Sequence, residues 1–160
     1  MIKILGLLLI VSSMSLAGRE CAGMLKKRIS SLEAIIRMID SLEIRISEFS
    51  TPLPVFFSSY SDKVLDSCLF ISAIRESGLS DAIDLKASEL ALKEEEINIL
   101  KALAERLGTL CISEEVRHCR YARKELEHVL SAAKEALPLH DKLLKSVGVM
   151  CAILAAVLFI

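Results

Sequence analysis

The sequence predicts an all-α protein: an antiparallel bundle of five or six helices between an N-terminal and a C-terminal membrane helix. Three observations predict it. Apolar residues recur at steps of three and four along most of the 160 residues, the period of one helix face. No segment sustains the apolar–polar alternation of a half-buried strand, so no sheet is expected. Charge is confined to the middle: all 21 acidic and 19 of the 20 basic residues lie between Arg19 and Lys145, while Ile4–Gly18 and Ser146–Ile160 carry none.

The first apolar end closes on Ser15-Leu16-Ala17-Gly18-Arg19-Glu20-Cys21, which allows three readings. Ser15-Leu16-Ala17 has the small-x-small form of a signal-peptidase site, and Leu16-Ala17-Gly18 resembles a lipoprotein acceptor. Alternatively nothing is cut, and a membrane helix leaves the bilayer here. Each uncharged end has 15 residues, about 22 Å as a helix and so shorter than the hydrocarbon core. Lys3 and Lys145 can snorkel, and a compressed bilayer accepts a short span. A signal peptide explains the first end and leaves the second unexplained. Lipidation is disfavoured because Arg19-Glu20 separates Gly18 from Cys21. The spacing of Cys21, Cys68, Cys111, Cys119 and Cys151 suggests no disulfide framework for an exported protein. Arg19, Lys26, Lys27 and Arg28 follow the first end and Lys142 and Lys145 precede the last, so the positive-inside rule puts the middle in the cytoplasm. The favoured organisation is an N-terminal anchor (1–18), a cytoplasmic helical domain (19–145) and a C-terminal anchor (146–160). Cleavage near Ala17, giving an exported or lipid-anchored helical binding protein, is the alternative. Gly18 and Ala22 lie four apart on one face, where another helix could approach closely. Small residues are common in membrane helices, and that plainer reading is favoured.

In the middle, Leu25, Ile29, Leu32, Ile36, Ile39, Leu42 and Ile46 predict a helix continuing from the first anchor to about Phe49. Ser50-Thr51-Pro52-Leu53-Pro54 stops it, with Thr51 expected as the next N-cap and Pro52 at N1. A short helix from Pro54 to Tyr60 follows. Asp62 or Ser61 then caps one segment carrying Val64, Leu65, Cys68, Leu69, Ile71 and Ile74 and ending at Ser77-Gly78. Ser80 or Asp81 opens a stretch with Leu90, Leu92, Ile97, Leu100, Leu103 and Leu107, as one helix or two, before Gly108 ends it. Ser113 starts the last helix, whose inner face is Cys119, Ala122, Leu126, Val129, Ala133 and Leu137, with a bend expected at Pro138.

Catalytic chemistry is hard to find. Glu115-Val116-Arg117-His118 and Glu125-Leu126-Glu127-His128 both spell E-x-x-H, the pair used by di-iron bundles. They share one helix, about 15 Å apart along its axis and ~80° around it, so they cannot hold one cluster. Cys111 with His118-Cys119 lacks a fourth soft ligand. No zincin, nucleophile-elbow or phosphate-loop string occurs, so neither an enzyme nor a cofactor is expected. Arg117, Arg120, Arg123 and Lys124 form a basic run around Tyr121, offset by Glu114, Glu115, Glu125 and Glu127. It reads as the solvated flank of a helix before it reads as a docking surface for an acidic partner. With a net charge of -1, nothing invites nucleic acid.

Several short strings nonetheless fall in a familiar order: Leu5-Gly6, Arg28, Leu42-Glu43, Thr51-Pro52-Leu53-Pro54, Leu107-Gly108 and Lys145-Ser146-x-Gly148. Over nearly its whole length the chain resembles the stage III sporulation protein AB family of endospore-forming bacteria. It departs at Cys111, where the family has an aspartate, at Glu115 for a glutamine and at Ala152 for a glycine. Ser113 is expected to take over the capping role of that aspartate. The family is similar to the cytoplasmic domain of the platform protein of type II secretion and type IV pilus machines. The resemblance implies a platform subunit in the mother-cell membrane around the forespore, meeting a cytoplasmic hexameric ATPase and the other membrane subunits of the channel. Arg28, Thr51 to Pro54, Leu107, Gly108, Glu115, Arg117 and Arg120 are the candidate structural or partner-contact residues, and Gly18, Ala22 and Gly148 those for membrane packing. Anchors pairing between chains, in a homo-oligomer, stand beside pairing within one chain.

Overall fold

The computed structural model describes the backbone of residues 2–49, 51–109 and 111–159, and side chains over 23–49, 51–109 and 111–136. Among the described residues it is all-helical: α1 (Ile2–Phe49), α2 (Leu53–Ser59), α3 (Lys63–Ser67), α4 (Phe70–Ser77), α5 (Leu79–Lys86), α6 (Glu94–Ala104) and α7 (Ile112–Phe159). The chain divides into two compact units, one made of residues 27–132 and the other of 1–26 with 133–160. Among the described residues no helix is long and apolar enough to cross a membrane. Both apolar ends, the packing residues Gly18, Ala22 and Gly148, and the bend expected at Pro138 lie outside the described side chains.

In the 27–132 unit, the predicted face of α1 is buried at Leu32, Ile39, Leu42 and Ile46, and Ala34, Ile35 and Met38 widen it. A helix covered from more than one side needs a broad apolar stripe, which this supplies. The α7 face is buried at Cys119, Ala122, Leu126 and Val129. Arg120 reaches Glu43 at 2.9 Å, while Arg123 pairs with Asp40 and lies 3.3 Å from Glu43. Rising numbers on α7 meet falling numbers on α1, so the two helices are antiparallel here. Among the short helices, α4 contacts α2, α3 and α5, and α5 packs on α6.

Five or six helices were expected and seven are present among the described residues. The segment from Lys63 to Ser77 breaks at Leu69, which sits in the left-handed region at φ 55°. The break turns Leu69 to solvent and buries Phe70 completely, so a bulkier side chain enters the core at the cost of a conformation leucine disfavours. The next segment is two helices, α5 and α6, and the intervening turn contains Ala91, also at φ 55°. Gly78, at φ 90°, joins α4 to α5 as both C-cap and N-cap. The starts expected at Ser80 or Asp81 therefore come one or two residues too late, since α5 begins at Leu79. Gly108, at φ 82°, lies in the turn after α6, which ends earlier than predicted, at Ala104.

Asp62 caps α3 as expected, its Oδ1 accepting the Val64 and Leu65 amides at 2.9 and 3.4 Å. Its Oδ2 accepts Arg37 Nη2 at 2.9 Å. Burial pushes the Asp62 carboxyl upward, but the Arg37 hydrogen bond and the two amides outweigh it and leave the group below the usual carboxylate range. A depressed folded pKa contributes stability that is fully present above the unfolded value of about 3.9 and is lost as pH falls through the folded value. Asp62→Asn is thus expected to destabilise the chain at neutral pH, with the gap from wild type closing below about pH 4. Urea unfolding of the detergent-solubilised chain across that range checks it; a gap independent of pH would contradict the assignment.

Candidate functional site

The candidate structural or partner-contact residues fall into three places in the 27–132 unit. The first is the junction of two turns. Thr51 was expected to cap the second helix; instead its amide donates to the Arg45 carbonyl at 3.3 Å and closes α1. Pro52 occupies the cap position, its carbonyl accepting the Val55 and Phe56 amides at 3.0 and 3.1 Å. The two prolines explain the shift, since neither has an amide to leave unpaired at a helix start. Leu53, at the head of α2, packs against the core. A Cβ on Gly108 would lie 3.3 Å from Leu53 Cδ1. The Gly108 amide donates to Glu115 Oε1 at 2.7 Å. The strings around Leu53, Leu107-Gly108 and Glu115, far apart in sequence, thus meet. A glutamine at position 115 could accept the same bond through its side-chain carbonyl, so that departure keeps the contact.

Beside the junction runs an open groove of about 570 Å³ lined by Leu53, Pro54, Phe57, Ile74, Leu79 and Leu107. Arg75 stands at its rim with Nε donating to the Phe57 carbonyl at 2.7 Å and Nη2 to the Ser58 and Tyr60 carbonyls at 3.2 Å each. These are the carbonyls that the end of α2 leaves without helical partners. Leu53→Ser keeps both prolines but removes a half-buried apolar contact, and it is expected to cost about 1–2 kcal/mol. Thermal melting of the detergent-solubilised chain tests this. A variant that melts like the parent yet blocks spore formation would make the turn a contact surface instead.

The second place is Arg28. Its guanidinium donates twice to Glu96 Oε1, from Nε at 2.8 Å and from Nη2. Glu96 is fully buried, and its Oε2 accepts the Lys93 amide at 2.5 Å at the start of α6. A carboxylate in a helix's first turn also meets the positive end of its dipole. Nothing in the acidic run Glu94-Glu95-Glu96 marked the third residue as buried.

The third place is the basic run on α7, which the fold divides. Arg120 and Arg123 turn to α1 and are taken up by Glu43 and Asp40. Arg117 points elsewhere, with Glu114 3.6 Å away as an exposed partner. His118 Nε2 lies 3.2 Å from Arg106 Nη1, and because a guanidinium only donates, this nitrogen accepts. Arg117, His118 and Arg106 border a second open groove between α6 and α7 of about 550 Å³.

Among the described residues no three His, Cys, Asp or Glu side chains gather as metal ligands. Burial, with the Glu43 and Glu115 carboxylates adding to it, pushes the Cys119 thiol up to about 12. It therefore stays protonated at neutral pH and packs as a small apolar residue. Ser113, expected as the last helix's cap, lies inside α7. Cys111 stands before the helix, its carbonyl accepting the Glu114 and Glu115 amides at 2.9 and 3.0 Å. Cys111 thus holds the position where an aspartate side chain would cap.

No solved structure matches the chain. A curated relative, stage III sporulation protein AB of Bacillus subtilis (strain 168), is 27% identical over 173 residues, covering 99% of this chain and 99% of its own. The family model for stage III sporulation protein AB matches residues 3–160. That span takes in both apolar ends and every helix between them, and the chain belongs to the stage III sporulation protein AB family.

Proposed function

We propose that the chain is a non-enzymatic membrane platform subunit of a secretion-like channel between mother cell and forespore, and that it positions a cytoplasmic hexameric ATPase. The observation that carries this reading is a sporulation-family match that runs through both apolar ends as well as the bundle. Residues 1–18 and 146–160 are its anchors in the mother-cell membrane, and the charged middle faces the cytoplasm. The charge pattern supports this, since Arg19 to Arg28 follow one end and Lys142 and Lys145 precede the other. So does the grouping of both chain ends in one compact unit. The family's name refers to a stage of sporulation and not to a reaction. Such a subunit acts by holding partners in place, which requires exposed grooves on a rigid bundle more than titratable groups in a cleft.

Reporter fusions test the topology: a reporter inserted after Thr109 is expected to be active only as a cytoplasmic form, and one at either terminus only as an external form. Intact mass of the membrane-extracted chain is expected to include residues 1–17. Loss of those residues, with an external reporter at Thr109, would favour an exported binding protein cleaved near Ala17.

A further inference from the structure

The basic run on α7 looks uniform in sequence, but in the folded chain its members differ in what they have left to give. Arg120 and Arg123 are held by Glu43 and Asp40. Arg106 pairs with no carboxylate among the described residues and donates only to the neutral ring nitrogen of His118. The partner of Arg117 is 3.6 Å away, with the Arg117 side chain 72% and the Glu114 side chain 44% exposed, and a long pair so open to water contributes little. Two guanidiniums thus stand together at one end of the α6–α7 groove. The floor is apolar and shallow, with Ile99, Ala102, Leu103 and Ala122 along it, and the two alanines leave room for an incoming side chain. Tyr121 is exposed beside it, an amphipathic ring of the kind enriched at interfaces. Asn98 and Glu125 line the same groove. Arg117 and Glu125 are eight residues apart on α7, about 12 Å or two helical turns. The groove is therefore apolar along its length, cationic at the Arg106–Arg117 end and acidic at the other.

We infer that this groove docks an acidic amphipathic helix, two turns of which lay apolar side chains over Ala102 and Ala122 and present carboxylates to Arg106 and Arg117. The inference rests on the platform reading, which supplies the ATPase as the protein carrying that helix. Charge complementarity selects the occupant: a basic or uncharged segment would leave the paired guanidiniums unanswered. The same arrangement fixes the direction in which the helix lies, because its carboxylates are repelled from the Glu125 end.

The test uses the full chain in nanodiscs and the purified hexameric ATPase of the same sporulation channel, with binding followed by interferometry at low and high salt. Arg106→Glu combined with Arg117→Glu is expected to weaken binding by about tenfold or more and to remove most of its salt dependence. Ala102→Trp fills the floor without touching a charge and is expected to weaken binding at both salt concentrations. Arg45→Glu, an exposed charge on another face, is expected to bind like wild type. All four positions are exposed, and unchanged melting establishes that each variant folds. If wild type binds and both groove variants bind equally well, the groove is not the docking face and the platform reading stands. If wild type does not bind the ATPase, both fall. A photo-crosslinker at Tyr121 is expected to capture an acidic peptide of the ATPase; capture of a second copy of this chain would overturn the inference in favour of self-association.

Discussion

Arg28→Ala is expected to lower the stability of the chain by about 3–5 kcal/mol, the cost of leaving a buried charge without its partner. Glu96 is fully inaccessible and the Arg28 side chain is 11% exposed, so water cannot replace the lost guanidinium. The lone carboxylate would still accept the Lys93 amide, which offsets only part of the desolvation. Adding Glu96→Gln removes the stranded charge and is expected to recover part of the loss. Arg37→Ala, at a pair whose arginine is half in water, is expected to cost about 1 kcal/mol or less. Urea unfolding of the four detergent-solubilised proteins checks the series, and an Arg28→Ala protein as stable as the parent would show that the pair is not buried in solution.

Leu126→Asp is expected to collapse the bundle. Leu126 is fully buried on the face of α7 that meets the core. Truncation of a buried leucine alone costs about 2–5 kcal/mol, and an aspartate adds the penalty of an unpaired polar group. Together these approach the whole of a domain's usual stability, about 5–15 kcal/mol. The neighbour Glu127 is exposed, and its link to Arg123 Nε is 3.7 Å long. Glu127→Ala is therefore expected to stay within about 0.5 kcal/mol. Equal losses of helical circular dichroism in the two variants would mean that α7 presents a different face to the core.

Both long helices were legible from their periodicity, because a stripe repeated over many turns has only one way to be buried. The ends of the short helices were not. Val64, Leu65, Cys68, Leu69, Ile71 and Ile74 read as one continuous stripe, yet burying Phe70 pays through a left-handed Leu69, and no residue type announces that choice. Likewise Leu90 and Leu92 continue the apolar pattern across the turn that separates α5 from α6. Thr51 carried a true signal, a helix boundary, but two prolines moved the cap one residue on. In the candidate site, the strings around Leu53, Leu107-Gly108 and Glu115 could be quoted in order, but not the fact that they touch. Arg28 and Glu96 are 68 residues apart, and only the fold selects Glu96 from three adjacent glutamates. The basic run on α7 was visible as composition; its division into spent and available arginines depends on α1 and on the turn bearing Arg106.

The pairing of Asp40 and Glu43 with Arg123 and Arg120 also sets a timetable. The partners are 83 and 77 residues apart, and the apolar face of α1 around Leu32, Ile39 and Leu42 is translated long before the α7 residues alongside it. At roughly 5–20 residues per second, ribosomes need about 4–17 s to make the intervening chain. For that interval α1 has a finished apolar stripe and only the short helices to cover it. The newborn chain is most exposed to aggregation before its last third exists, and what shields it in those seconds must be either the α2–α6 segment or a chaperone.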